Sequence, residues 1–409
     1  MLGIPNMRKL PLLTFLFAFM TVTCFANPIL SVPGQTQAPL ITPGAPNINA
    51  KAYILMDANT GKILAEKNAD ARMAPASLTK LMTMYVISKA IKDGAIHMDD
   101  KVHVSTKAWR TGGSRMFLKV DDDVPVRDLL QGIVVASGND ASVAMSEHLA
   151  GTEDSFAAVM NQEAKALGMD NTHFVDSNGL PNPQHYSSAH DLAILTQAII
   201  KTFPEDYRLY SEKWFTFNNI RQPNRNRLLW RYSYADGLKT GHTDDAGYCL
   251  VASAVKDGTR LISVVMGAPS DNIRTEESIR LLTYGFRFFQ TRKLYDAGAE
   301  LAKARVLGGT AKIVPLGVSS DFYVTSPMNQ AKNIRTEIKL TVEPLKAPIV
   351  KNQIYGTLNV FANDKLLASQ SLIALADDPK AGVLGRIIDS INFTVHKVFT
   401  RTAEKANNG

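Results

Sequence analysis

The sequence predicts an α+β protein: an antiparallel sheet covered by helices, then a small all-β domain, then a C-terminal amphipathic helix. Three observations predict it. Two Val- and Ile-rich runs, 248–255 and 260–267, are joined by Lys256-Asp257-Gly258-Thr259, a hairpin apolar on both faces that therefore needs helices over it. From 294 to 375 the pattern changes to short alternating segments, such as 336–342 and 356–361, separated by Pro315, Pro327, Pro344 and Pro348. From 382 to about 405, Leu384, Ile387, Ile388, Ile391, Val395, Val398 and Phe399 fall along one line at helical spacing, while Arg386, Asp389, Lys397 and Glu404 point away.

In chain order, Arg8 and Lys9 precede an apolar stretch at 10–19, and Cys24-Phe25-Ala26 suits a cut after Ala26. Residues 1–26 are therefore expected to be a secretory signal peptide, too short in its apolar part to span a bilayer at roughly 20 residues. Its removal leaves Cys249 as the single cysteine, so no internal disulfide forms and full-sized cores must supply stability. The formal charge of +7 is spread along the chain, which argues against nucleic acid as a partner and for an anionic surface. Residues 27–49, with five prolines, are expected to be a linker. Strands at 51–57 and 62–66 flank Asn59-Thr60-Gly61. After Pro75, Leu78, Leu81, Met82, Tyr85 and Val86 repeat at the spacing of a helix over 77–92. Further helices fit 126–135, 140–149, 155–167 and 189–200, and one at 276–289 covers the sheet. The expected domains are thus 50–292, 293–376 and a tail at 377–409. Trp109, Trp214 and Trp230 are expected in the core or on a cleft wall.

Three short motifs carry the chemistry. Ser77-Leu78-Thr79-Lys80 sets a hydroxyl and an amine on one side of the first turn of the 77–92 helix. A serine becomes a nucleophile when a neighbouring base takes its proton, and a lysine serves once burial or another cation holds it neutral. The helix N-terminus favours the alkoxide that forms. Alone, the same tetrapeptide also suits a solvated helix start. Ser137-Gly138-Asn139 stands on a tight turn between helices, where it either caps or presents a proton-relaying hydroxyl and an amide. Lys239-Thr240-Gly241, followed by His242, is either a turn or a strand edge on which a cation, a hydroxyl and a glycine dock a peptide's terminal carboxylate. Lys239 would also depress the pKa of Lys80 if the two faced one cleft.

As a set, Ser-x-x-Lys, Ser-x-Asn and Lys-Thr-Gly resemble the motifs of penicillin-binding proteins and serine β-lactamases, and so a β-lactamase/transpeptidase-like first domain. More narrowly, Ala76-Ser77-Leu78-Thr79-Lys80-Leu81-Met82-Thr83, Ser137-Gly138-Asn139-Asp140-Ala141, Asn178-Gly179-Leu180 and Gly237-Leu238-Lys239-Thr240-Gly241-His242-Thr243 are similar to the D-alanyl-D-alanine carboxypeptidases among low-molecular-mass penicillin-binding proteins. The resemblance implies that Ser77 attacks the carbonyl between two D-alanines of a peptidoglycan stem pentapeptide, with Lys80 as base. It implies that Ser137 passes a proton to the leaving amine, Asn139 holds the acyl chain, and Lys239 and Thr240 bind the terminal carboxylate. The oxyanion would sit between the backbone amides of Ser77 and His242. Arg274 matches a family arginine near the carboxylate site; a surface salt bridge is its other reading. The resemblance further implies β-lactams as covalent inhibitors, no cofactor, and a periplasmic enzyme held to the outer face of the inner membrane by the C-terminal helix. No metal is expected, since His185 and His190 have no third ligand nearby. Gly138 stands where class A β-lactamases have aspartate, and no Glu-x-x-Leu-Asn segment lies between Ser137 and Lys239, so penicillins should acylate and stall. Three rival functions remain: a DD-endopeptidase, a class A-like β-lactamase, and a non-catalytic binder of D-Ala-D-Ala.

Overall fold

The computed structural model describes residues 42–330 and 334–391. The expected signal peptide, most of the linker and the tail from 392 onward, with Val395, Val398 and Phe399, lie outside the described residues. The first domain is built on a five-stranded antiparallel sheet of β1 (Ala52–Asp57), β2 (Ile63–Lys67), β3 (Ala235–Thr243), β4 (Gly247–Lys256) and β5 (Thr259–Ala268), in the spatial order β2-β1-β5-β4-β3. Alternation of side chains along each strand feeds two cores. Ile54, Met56, Val251, Ile262 and Val264 face a larger core shared with the helix Lys80–Lys92 and its neighbours. Tyr53, Leu55, Leu250, Leu261 and Val265 face a second core under the helix Asp271–Phe288. The hairpin's apolarity on both faces is explained by these two cores, and β3 is left as the edge strand beside the helical layer.

Several boundaries differ from expectation for identifiable reasons. Ile48 is only 2% exposed and belongs to the second core, and Tyr284 Oη donates to the carbonyl of Pro43 at 2.9 Å, so the end of the expected linker is part of the domain. The covering helix starts five residues before 276, at Asp271, with Ser270 accepting from the amide of Ile273 at 3.2 Å as its N-cap. Its first turn is polar, so the apolar repeat did not mark it. The expected helix at 126–135 is Val126–Gln131 followed by a wider π turn, Gly132–Ala136, which ends at Ser137 with φ +59°. The three tryptophans are not core residues: they are 41%, 47% and 43% exposed.

The expected boundary at 292/293 falls inside the strand Phe289–Tyr295, which pairs with Phe322–Pro327. Beyond it, a six-stranded sheet runs in the order Ile334–Leu340, Ile354–Ala362, Lys365–Ala374, Ile313–Gly317, Glu300–Leu307 and Leu345–Lys346 over two small cores. Asp57 ties this part to the first: it is fully buried, its Oδ2 accepts from Thr291 Oγ1 at 2.6 Å, and its Oδ1 accepts from Thr60 Oγ1 at 2.7 Å. Both threonines meet Thr325 Oγ1, at 2.9 and 2.7 Å. The helical turns at 383–391 present Asp389, 4% exposed, to the β domain, where it accepts from the amide of Gly308 at 2.8 Å. Leu384, Ile387, Ile388 and Ile391 lie outward and are more than half exposed.

Candidate active site

The site forms where the turn Ala76–Thr79, the Ser137 corner and the edge strand β3 converge. Ala76–Thr79 is a 3-10 turn leading into the helix Lys80–Lys92, and Ala76 holds φ +47°, a costly conformation for a residue with a side chain. Glycines let the surroundings close on this turn. A Cβ on Gly241 would stand 2.8 Å from the carbonyl oxygen of Pro75, and one on Gly179 only 1.9 Å from that of Ala76. Backbone from β3 and from the 176–180 loop therefore presses the half-buried Ser77 from two sides.

Lys80 Nζ is 3.0 Å from Ser77 Oγ, and it donates to Asn139 Oδ1 at 2.7 Å and to the carbonyl of Asn178 at 2.6 Å. A neutral amine has two N–H bonds. Both are committed here, so its lone pair is left for the serine. Lys80 is 1% exposed, and burial brings its pKa from 10.5 to about 7; Asp176 opposes the shift and Arg225 reinforces it. Lys239, also buried, is held well below its ordinary range first by burial and then by the charge of Lys80, a repulsion the two amines share, as expected of two lysines facing one cleft.

Ser137 Oγ lies 2.7 Å from Lys239 Nζ, which also donates to the carbonyl of Thr240 at 3.0 Å. Asn139 donates through Nδ2 to the carbonyl of Gly112 at 2.7 Å, which leaves its Oδ1 toward Lys80. Gly138 has no room for an aspartate, since a Cβ there would lie 2.8 Å from Asp140 Oδ1. Thr240 is buried on β3, and His242 is exposed at its end, its ring 4.0 Å from that of Tyr248. Arg274 is buried, not a surface ion-pair residue. Its Nη1 donates to the carbonyls of Gly241 and Cys249 at 2.9 and 3.2 Å, and its Nη2 to Asp271 at 2.6 Å. The structure thus brings Ser77, Lys80, Ser137, Asn139, Lys239, Thr240, Gly241, His242 and Arg274 around one cleft.

Four supporting groups escaped the sequence reading. Asp140 accepts from the amides of Met116, Phe117 and Leu118 and fixes the loop over Asn139. Arg225 Nε donates to the carbonyl of Ala136 at 3.0 Å, beside Ser137. Asp176 accepts from the amides of Asn178 and Gly179, which aims the Asn178 carbonyl at Lys80. His185, 3% exposed, places Nε2 at 2.8 Å from Thr79 Oγ1, whose hydroxyl donates to the carbonyl of Ala76, and Nδ1 at 3.4 Å from Asp176. Asp140 directly follows Ser137-Gly138-Asn139 and Asp176 stands two residues before Asn178-Gly179-Leu180, so adjacency to a motif was the available signal for both. Arg225 and His185 come from distant segments with no shared spacing.

Two family models match the chain: one described as D-alanyl-D-alanine carboxypeptidase over residues 40–270, and one described as penicillin-binding protein 5, C-terminal domain, over 289–380. The chain is 47% identical over 364 residues to the D-alanyl-D-alanine carboxypeptidase DacA of Escherichia coli, covering 87% of this chain and 90% of that protein. It is similar to the crystal structure of penicillin-binding protein 5 from Haemophilus influenzae, with a TM-score of 0.79, 44% identity, and coverage of 83% of this chain and all of the other. Penicillin-binding protein D2 of Listeria monocytogenes, solved in its ampicillin-bound form, aligns at a TM-score of 0.55 and 33% identity over 59% of this chain and all of its own.

Proposed function

The chain belongs to the D-alanyl-D-alanine carboxypeptidase family, and on that premise we propose how its own residues divide the reaction and where it takes place. The protein is a serine-type carboxypeptidase acting on peptidoglycan peptides, and as a penicillin-binding protein it is a target of β-lactams. In our reading the substrate is the stem pentapeptide. Its terminal carboxylate docks on Thr240, Lys239 and the Arg274-braced end of β3, where the arriving anion favours protonated Lys239. Neutral Lys80 takes the proton of Ser77, and Ser77 Oγ attacks the carbonyl of the fourth residue. The oxyanion is held by the backbone amides of Ser77 and His242, donors set before reaction. The proton passes through Ser137 to the leaving nitrogen, D-alanine departs, and water hydrolyses the ester while Asn139 holds the acyl chain.

The observation that carries this reading is the 3.0 Å approach of a fully buried amine, its pKa near 7, to Ser77 Oγ. Incubating the purified protein with a pentapeptide is expected to release free D-alanine, and Ser77→Ala to abolish both that release and the penicillin adduct. Release only from crosslinked dimers would make it an endopeptidase, and rapid penicillin turnover a β-lactamase. We further propose secretion to the periplasm through residues 1–26, and attachment to the outer face of the inner membrane by the C-terminal segment. The outward apolar side chains at Leu384, Ile387, Ile388 and Ile391 support the attachment. The apolar stretch after Arg8 and Lys9 supports the secretion.

A further inference from the structure

Beside the carboxylate end of the cleft lies a cavity of about 620 Å³ whose walls include Trp214, Trp230, Arg225, Arg227, His242 and Arg274. Alanine, with a single methyl group, has no use for such a volume. The cavity wall is tied to the site at three points. His242 follows Gly241 on β3, Arg274 donates to the Gly241 carbonyl, and Arg225 donates to the carbonyl of Ala136 beside Ser137. A terminal residue whose carboxylate rests on Lys239 and Thr240 therefore has this space on its own side of the scissile bond, away from the acyl chain.

The walls also have a chemistry. Trp214 and Trp230 meet edge to face, ring centres 6.2 Å apart, while each keeps more than 40% of its surface open. Each already carries a cation, the Arg221 guanidinium 4.2 Å from the Trp214 ring centre and the Lys213 amine 5.9 Å from that of Trp230, and the surface left open suits a run of methylenes. Asp271 is the single acid among the lining residues, and both its oxygens are taken, one by Arg274 at 2.6 Å and one by Arg227 at 2.7 Å. Arg225 has no carboxylate partner among the described residues. Three arginines against one acid leave a surplus of positive charge in a walled space, where charge acts more strongly than in open water.

We propose that this cavity is a leaving-side pocket for a terminal D-residue longer than alanine whose side chain ends in an anion. The proposal rests on the carboxypeptidase reading and extends its substrate class. The chemistry is unchanged. The bond from Ser77 Oγ to the acyl carbon forms as the C–N bond to the last residue breaks, and the serine proton ends on the departing nitrogen. Water then cleaves the ester and restores the hydroxyl, so one water is consumed for each D-amino acid released.

The test compares pentapeptides identical but for the last residue: D-alanine, D-2-aminoadipate, and D-norleucine as the uncharged isostere. Release of D-2-aminoadipate is expected at a kcat/KM no lower than that of D-alanine, with D-norleucine down by about tenfold or more from D-2-aminoadipate. The double variant Trp214→Ala/Trp230→Ala is expected to lower the D-2-aminoadipate to D-alanine ratio by about tenfold. Because the ratio is read rather than either rate, a general loss of activity cancels. Release of D-alanine alone, or equal release of norleucine and aminoadipate, would overturn the pocket while leaving the carboxypeptidase intact. Absence of any D-alanine release would remove the premise and the pocket with it.

Discussion

Lys80 concentrates most of the catalytic argument in one side chain. Its amine is protonated up to about 10.5 in an unfolded chain and loses its proton near 7 in the folded one. Only the neutral form can take the Ser77 proton, so acylation by a labelled penicillin should rise with pH through about 7 and level off above it. The same shift has a stability sign. Between about 7 and 10.5 the unfolded chain holds the extra proton, so raising the pH across that window favours the folded state. Lys80→Met should abolish acylation and remove this part of the slope of Tm against pH. A second prediction concerns His185, which we place as a positioning residue. Its Nε2 supports Thr79, and through it the strained Ala76 carbonyl beside the nucleophile. His185→Gln can keep a donor at that position, whereas His185→Asn cannot reach it. The Asn variant should lower the acylation rate by about tenfold or more with KM for pentapeptide little changed, and the Gln variant should retain most of the rate. Equal losses in both would mean that His185 only fills space. The residues legible in the sequence were those whose partners lie three positions away or whose chemistry is dense within a tripeptide. His185 and Arg225 act across the fold, and no local pattern announces them; Asp176 acts locally on the amides of Asn178 and Gly179, and only the reach of the Asn178 carbonyl to Lys80 is long-range.

At the level of elements, the site depends on how closely backbone can approach backbone. Gly241 lets β3 pass the turn that carries Ser77, and a methyl group there meets the Pro75 carbonyl at 2.8 Å and the Leu78 amide at 3.2 Å. These are main-chain atoms that cannot rotate away. Gly241→Ala should therefore push β3 from the turn, at a cost of about 1–3 kcal/mol in stability typical of overpacking. It should lower acylation more than Tm, because Lys239 and Thr240 travel with the strand. Thermal unfolding and penicillin labelling of the variant check this, and full labelling at wild-type rate would contradict it. The hairpin of β4 and β5 was legible because strands covered on both faces must be apolar throughout, and Lys256–Thr259 supplies the turn. Helix starts were less legible. The one at Asp271 opens on polar residues, and the helix ending at Ser137 widens in its last turn, which a period of 3.6 residues does not register.

Across the whole molecule, two buried carboxylates make attachments, one joining the first domain to the β domain and one holding the C-terminal segment against the β domain. One is Asp57, which gathers the β1–β2 turn, Thr291 and, through the threonines, Thr325 of the β domain around a single buried carboxylate. The other is Asp389, which sets the orientation of the C-terminal segment. Because that carboxylate faces inward to the Gly308 amide, the side chains a half-turn away must face outward, and they are isoleucines and leucine. On the proposed membrane attachment, three or four such residues would need help from cations to hold a bilayer, and the sequence carries Arg386 and, further on, Lys397, Arg401 and Lys405. The cleft lies in a different domain and draws none of its residues from this segment. A chain ending at Lys380 should therefore release D-alanine from a soluble pentapeptide at the full-length rate while no longer sedimenting with vesicles that contain anionic lipid. The full-length protein should sediment at low salt and progressively less as salt screens the cations. Undiminished sedimentation of the shortened chain would move the membrane contact elsewhere on the surface, and loss of its peptidase activity would show that the segment supports the fold rather than the attachment.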